Sequence, residues 1–304
     1  MKTAAIVNPR SASGRTGRLW NQLAARLGPV DVRFTKAPNH ATELTRELVS
    51  EGFQRLISVG GDGTINEIVN GLITGDQPVA SDVCLAILPL GTGSDFQKTL
   101  GIRTLDEAIA LLESSREPAP MDVGKVVHQS LTGRTATRYF ANLVSFGMGG
   151  EVAAKAKNVL SPLSGKAAFL WATLDVFFRY RAKTVTVEVD GNPIGKFTVT
   201  NVAVGNGRFH GGGMHVCPRG RIDDGLLEVT VIDALGMYEL ARDIRILYTD
   251  DLYVHPKTHH WQGRVVKATS EGIVSIEVDG EPLGFLPVEI SLLSRLLRVL
   301  CPAR

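Results

Sequence analysis

The chain is poor in cysteine, in net charge and in long apolar runs, and each shortage removes a class of protein. Its three cysteines, Cys84, Cys217 and Cys301, form no CxxC pair and no disulfide framework, which suits a reducing cytoplasm. A formal net charge of +2 over 304 residues gives no case for nucleic acid as a partner. No apolar run approaches a bilayer span, and the start, Met1-Lys2-Thr3-Ala4-Ala5-Ile6-Val7-Asn8-Pro9, reads as a first strand because its apolar stretch is too short for a signal peptide. The expectation is a cytoplasmic protein whose membrane contact is peripheral, at the surface. Two catalytic motifs are also missing: there is no GxxxxGK[ST] phosphate loop and no GxSxG nucleophile elbow, and "GMGGE" at 147–151 is too incomplete for a dinucleotide fingerprint.

What is present is an ordinary globular composition, 44% hydrophobic and 21% charged, in a chain long enough for two domains or one large one. Up to about residue 120, strand and helix patterns alternate: strands at Ala4–Val7, Val30–Thr35, 55–59 and Leu85–Leu88, helices at 16–27, 40–51, 64–74 and 104–113. Such alternation implies a parallel sheet covered on both faces, with ligands at the carboxyl ends of its strands. Beyond that point short alternating runs with Asp-Gly turns predominate, as in "TVTVEVDGNPIG" at 184–195 and "GIVSIEVDGEPLG" at 272–284, which predicts antiparallel β in a sandwich. Helical interruptions are expected near 150–180 and 236–248. The division expected is an α/β nucleotide-binding domain over 1–122 and a β-sandwich over 123–304, leaving open a return of the last residues to the first domain.

The turns after the strands are where chemistry concentrates. "SVGGDGTINE" at 58–67 puts Gly60, Gly61 and Gly63 between a strand and a helix, and a glycine turn at a helix N-terminus is an anion site. "LAILPLGTGSDFQKTLG" at 85–101 repeats the arrangement with Gly91 and Gly93, and places Ser94 or Asp95 to cap a short helix. The polar turn Asn8 to Gly14 after the first strand supplies a third loop, with Arg10 or Arg15 as cations. Either Gly-Asp turn alone fits an aspartate that merely caps a helix. Three such loops on one sheet edge suit a polyphosphate. Asp62 would repel a phosphate there unless a divalent metal or a proton-bearing acceptor lies between them.

These segments, in this order, resemble the diacylglycerol kinase catalytic-domain family of lipid kinases, specifically its bacterial soluble branch. The resemblance rests on Asn8-Pro9 and the following turn, Thr35 with "NHA" at 39–41, "GGDGTINEIVNGL" at 60–72, "LPLGTGSDFQKTLGI" at 88–102, "MDVGKV" at 121–126, "FANLVSFGMGGEV" at 140–152, "RIDDGLLEV" at 221–229 and "VDGEP" at 278–282. It runs nearly end to end, with Ser94 where the family usually has asparagine. The resemblance implies a two-domain fold with the active cleft between the domains, and transfer of phosphate from ATP, with Mg²⁺, to a lipid alcohol such as diacylglycerol. It assigns nucleotide binding to Asn8, Pro9, Arg10, Ser11, Ala12, Ser13, Gly14, Thr35, Gly60, Gly61, Gly63, Thr64, Asn66, Glu67, Gly91, Thr92 and Asp95. Asp62 falls at the catalytic centre, with Asp95 and Asp122 joined to it through a water and magnesium network. A structural magnesium is implied at the Arg221 and Leu226 carbonyls and the Asp224 carboxylate, and Glu281 matches the family's general base. Turn chemistry alone allows Glu281 to be only a hairpin residue, and spacing does not divide labour between Asp62 and Glu281.

Two rival functions stay open on the residues: a kinase of a soluble hydroxyl, as in NAD kinase, and a nucleotide-binding regulator without turnover. "GKAAFLWATLDVFFRYRAK" at 165–183 reads equally as a core helix or as a basic-flanked helix on a membrane surface. His210, His215 and Cys217, and His255, His259 and His260, lack zinc spacing and read as structural or cleft-lining. Exposed sandwich edges leave room for a homodimer.

Overall fold

The computed structural model describes residues 1–91, 94–158, 175–176 and 178–303. Its first part runs β1 (Thr3–Val7), α1 (Arg15–Leu27), β2 (Asp31–Phe34), α2 (His40–Ser50), β3 (Arg55–Gly60), α3 (Asp62–Gly71), the short β4 (Ile73–Thr74) and β5 (Gln77–Pro78), β6 (Cys84–Pro89), α4 (Asp95–Thr99) and α5 (Leu105–Glu113). Strands covered on both faces read as continuous apolar runs, and Ala4–Val7 and Leu85–Leu88 are accordingly buried throughout. The parallel order is β2-β1-β3-β6. β2 lies on one side of β1 and β3 on the other, so the connections diverge there and open a crevice at the strands' carboxyl ends. α1 closes one face through Trp20 and Leu23, and α3 packs through Ile65, Ile68 and Val69.

The second part runs β7 (Ala119–Ser130), β8 (Thr135–Phe140), β9 (Leu143–Gly147), α6 (Met148–Asn158), β10 (Lys183–Val189), β11 (Asn192–Gly205), β12 (Leu227–Asp233), α7 (Met237–Asp243), β13 (Thr258–Gly263), β14 (Val265–Ser270), β15 (Ser275–Val278) and β16 (Glu281–Val299). It is an antiparallel β-sandwich with its own valine-rich core, from Val126 to Ile290. Both Asp-Gly turns form as two-residue hairpins with positive φ at each position, 50° and 79° at Asp190-Gly191, 49° and 85° at Asp279-Gly280. β16 pairs antiparallel with β15, β14 and β7, then ends parallel to β6, with Arg298 opposite Cys84 and Val299 opposite Leu85. Leu297, Val299, Leu300 and Cys301 thereby pack in the α/β core.

Two local expectations change. The helix expected at 64–74 starts at Asp62 and stops at Gly71, because Ile73–Thr74 turns into a small hairpin with Gln77–Pro78. Ser94 does not cap α4: it is left-handed (φ 51°), and its hydroxyl donates back to the Gly91 carbonyl (3.2 Å). Most of the apolar segment 165–183 lies outside the described residues.

Candidate active site

The loop after β1 is tied to the loop after β3. Asn8 donates from Nδ2 to Thr64 Oγ1 (3.1 Å), and its Oδ1 accepts from Arg10 N (3.1 Å). Pro9 O accepts from Gly17 N (3.3 Å) inside α1, and Gly14 N reaches the carbonyls of Arg10 and Ser11 (3.2 and 3.1 Å). Ala12, Ser13 and Gly14 are left-handed in succession, with φ of 50°, 56° and 80°. For the two residues that carry a Cβ this costs about 1–2 kcal/mol each, and backbone amides in such a turn form an anion-binding concavity. Thr35 closes the rim at the end of β2, its N–H donating to Val7 O (2.9 Å).

The second and third loops touch through glycine backbone. A Cβ on Gly91 would overlap Gly61 Cα, so glycine at 91 is what lets the second and third loops meet, and a Cβ on Gly61 would come into ordinary contact with Ser11 Oγ of the first loop at 3.7 Å. Thr92 lies outside the described residues.

Asp62 opens α3 and reaches across to α4. Its Oδ2 accepts from Asp95 N (3.0 Å) and its Oδ1 from Phe96 N (3.1 Å). The cap that Ser94 does not supply therefore comes from another loop, and Asp62 satisfies the unpaired donors of the α4 N-terminus. Burial, and next the Asp95 carboxylate, push its pKa up to about 6, against the two amides that pull it down. Asp95, itself buried, pairs with Lys98 Nζ (2.8 Å) and accepts from Gly212 N (2.8 Å), a loop of the sandwich.

Glu67 and Asn66 do different work from the glycines. Glu67 accepts from Asn39 N and Ala41 N (2.9 and 3.0 Å), holding the start of α2. Asn66 faces the sandwich: its Nδ2 donates to Asp279 Oδ2 (2.8 Å) and Tyr139 O (3.0 Å), and its Oδ1 accepts from Arg138 Nε (2.8 Å). Asp279 also accepts from the backbone N–H groups of Ala141, Asn142 and Leu143 (3.1, 3.1 and 3.0 Å), in a site whose burial raises its pKa. One residue past this turn stands Glu281, whose Oε1 would lie 3.3 Å from a Cβ on Gly63. The hairpin thus overhangs the first turn of α3, beside Asp62. Beneath it Glu277, wholly buried, accepts from Ser145 Oγ (2.6 Å) and Gly280 N (2.7 Å) and lies 3.4 Å from His210 Nε2.

The third group stands apart. Asp122, on β7 and fully buried, accepts from Gly225 N (2.8 Å) and from Arg295 N (2.6 Å). Among the described residues no hydrogen bond joins it to Asp62 or Asp95. It braces the turn that carries Arg221, Asp224 and Leu226, where Asp224 Oδ1 accepts from Leu226 N (3.0 Å). Burial raises the Asp224 pKa, opposed by that amide and reinforced by Asp122. Among the described residues no group of three or more His, Cys, Asp or Glu side chains is placed to hold a metal, so an ion at this turn would need backbone carbonyls besides Asp224. Of the other histidines, His215, His255 and His259 pair with Asp250, Asp243 and Asp233, while His260 meets Thr230 Oγ1.

Sequence reasoning missed Asp279, Arg138, Glu277 and Gly212. The signals for Asp279 were the repeated "VDG" and the motif "VDGEP" at 278–282, neither of which says what its carboxylate meets.

Comparison with known proteins finds two matching family models. The diacylglycerol kinase catalytic domain matches residues 2–126, and the YegS C-terminal NAD kinase beta sandwich-like domain matches residues 142–301. A protein of Pseudomonas putida named "Probable lipid kinase YegS-like" is 32% identical over 255 residues, covering 84% of this chain and 79% of its own. One of the same name from Pseudomonas aeruginosa is 31% identical over 278 residues, covering 90% and 84%. A solved Bacillus anthracis structure, named provisionally as a diacylglycerol kinase, superposes with TM-score 0.75 at 26% identity over 99% of this chain and 97% of that one. Yeast NADH kinase in complex with NADH shares the fold, with TM-score 0.52 at 14% identity over 100% of this chain and 84% of that one.

Proposed function

The chain belongs to the diacylglycerol kinase catalytic-domain family with a YegS-type C-terminal domain, and from that membership we propose that it is a lipid kinase transferring the γ-phosphoryl group of ATP to the hydroxyl of a lipid alcohol, with diacylglycerol giving phosphatidic acid as the first candidate. The observation that carries the reading is the convergence of three glycine-bearing loops beside Asp62, with Glu281 held over them by the sandwich. The relatives' names add the lipid, and they speak for those proteins.

Phosphoryl transfer is catalysed chiefly by positioning and charge neutralisation. The loop Asn8 to Gly14, Gly60 to Thr64 and Gly91 would hold the polyphosphate through backbone amides. Both Asp62 oxygens are engaged with α4, so its first role is to fix the two loops relative to each other. Glu281, exposed on a hairpin turn, is better placed to meet an incoming hydroxyl: it would take the proton as the hydroxyl oxygen bonds to the γ-phosphorus and the bridging oxygen leaves with ADP. The hard oxygen donors Asp62 and Asp95 suit a magnesium ion accompanying the nucleotide, which when bound supplies neutralisation of phosphate charge. The lipid would be met at a membrane surface; no described helix is long and apolar enough to cross one.

The test uses purified protein, γ-labelled ATP, magnesium and mixed micelles of a total lipid extract, with Asp62→Asn protein as control. Label in the organic phase that depends on Asp62 supports a lipid kinase and names its substrate. Label on NAD instead, or bound ATP with no transfer, overturns it in favour of a soluble acceptor or a regulator.

A further inference from the structure

A kinase with no P-loop lysine must draw the cation for its transferred phosphate from elsewhere. Lys98 is committed to Asp95. Arg10 and Arg15 belong to the first loop and the start of α1, on the nucleotide domain. Arg138 comes from the other side of the cleft, on β8, where Glu281 stands.

The setting of Arg138 is unusual. Its Nε is fixed on Asn66 Oδ1 (2.8 Å), one helical turn beyond Asp62 on α3. It is half-buried, which disfavours its charge, in the field of the carboxylates of Asp279, Glu67 and Glu281. Yet among the described residues it forms no ion pair with any of them, and Asn66 is the acceptor it uses. A guanidinium anchored by one nitrogen keeps two terminal nitrogens, and their planar fork matches two oxygens of a phosphate.

We propose that Arg138 is a catalytic residue, an arginine delivered by the sandwich domain that contacts the γ-phosphate of bound ATP across the cleft. The proposal rests on the kinase reading above and deepens it. Asn66 sets the direction of the fork, and Asp279, which binds Asn66 from the sandwich, keeps the two domains at the spacing the contact needs. The phosphate-facing charge would then be assembled only when both domains are docked.

The experiment needs no lipid. ATP and ADP are titrated calorimetrically, with magnesium, into wild-type protein, Arg138→Gln, Arg138→Lys and Arg134→Gln, the last a neighbour on the turn before β8. The expected result is that Arg138→Gln weakens ATP binding by about tenfold or more, the loss typical of a charged hydrogen bond. ADP binding should change by less than about twofold, Arg138→Lys should lie between, and Arg134→Gln should match wild type. Equal weakening of ATP and ADP, or no change in either, overturns the proposal and leaves Arg138 as a structural partner of Asn66. Should Arg138→Gln fail to fold, the ATP-to-ADP ratio of Arg138→Lys decides: a ratio equal to wild type overturns the contact. Failure of the wild-type protein to bind either nucleotide overturns the kinase reading, and this inference with it.

Discussion

A carboxylate inside a glycine turn built for anions is a contradiction that Asp62 resolves through its partners. It is the helix cap of α4, supplied from a different loop, and its charge is set against Asp95 rather than spent on solvent. Asp62→Asn keeps one acceptor and loses the charge, so the fold should survive while kcat falls by about 10²–10³-fold, the range for removing a preorganised electrostatic group. Glu281→Gln should cost about 10²–10⁴-fold as a lost general base, and Asn192→Ala, at the matching place in the other hairpin, should leave kcat near wild type. Equal losses at 192 and 281 would show that hairpin structure, not proton transfer, underlies the effect. The folded-state pKa of about 6 lies above the ordinary 3.8. Any step needing Asp62 ionised therefore gains with pH through about 6, and the stability this group contributes is full below about 4 and lost across the same rise. A pH profile of kcat/KM should show that acid limb, and Asp95→Asn, which removes the neighbouring charge, should move it to lower pH. At this scale the glycines and aspartates of the loops were legible because turn chemistry is local. Asp279 was not: Asp190 sits in the same "VDG" and spends its carboxylate on Arg264 N and Val265 N within the sandwich. Only the tertiary partner separates the two.

Elements were legible where the hydrophobic period was clean. The βα alternation of the first domain appears in the structure with ends shifted by at most three residues, as expected when a boundary depends on caps. Residues 119–147, which form β7, β8 and β9, gave no comparable signal. Their apolar positions are interrupted by Asp122, Gly124, Lys125 and Asn142, and these polar residues are satisfied by other elements or by solvent. Asp122 shows what such an interruption does. It links β7 to the irregular point of β16 at Arg295, where φ is 52°, and to the turn at Gly225. Asp122→Ala would deprive two part-buried backbone donors, Gly225 N and Arg295 N, of their acceptor, at a cost of about 1–3 kcal/mol. Urea unfolding should show that loss as a lower midpoint with an unchanged slope. A loss below about 1 kcal/mol would mean that water replaces the carboxylate.

At the scale of the whole molecule, the change of texture near residue 120 marks two cores but not how they are joined. Nothing local in Glu281–Val299 says that one strand begins beside the glycine-bearing loops, crosses the sandwich and ends in the parallel sheet beside β6. Along with it run the Asp95 bond to Gly212 N, the Asn66 bond to Asp279 and the ion pair of Lys125 with Asp76 (2.6 Å), each joining the two halves. A shared strand makes independent unfolding costly, because melting either core exposes backbone donors and apolar side chains of the other. Calorimetry of the full chain should therefore give one transition whose calorimetric and van't Hoff enthalpies agree. Asp279→Ala tests the clasp in particular. It deprives Asn66 and the amides at Ala141, Asn142 and Leu143 of a common acceptor, so the transition should fall by several degrees or more for a loss of a few kcal/mol. Because the same residue holds the Glu281 hairpin over α3, turnover should drop further than ATP affinity does. Two resolved transitions in the wild-type protein, or an Asp279→Ala variant with wild-type turnover, would mean that the domains hold their spacing without the clasp, through β16 alone.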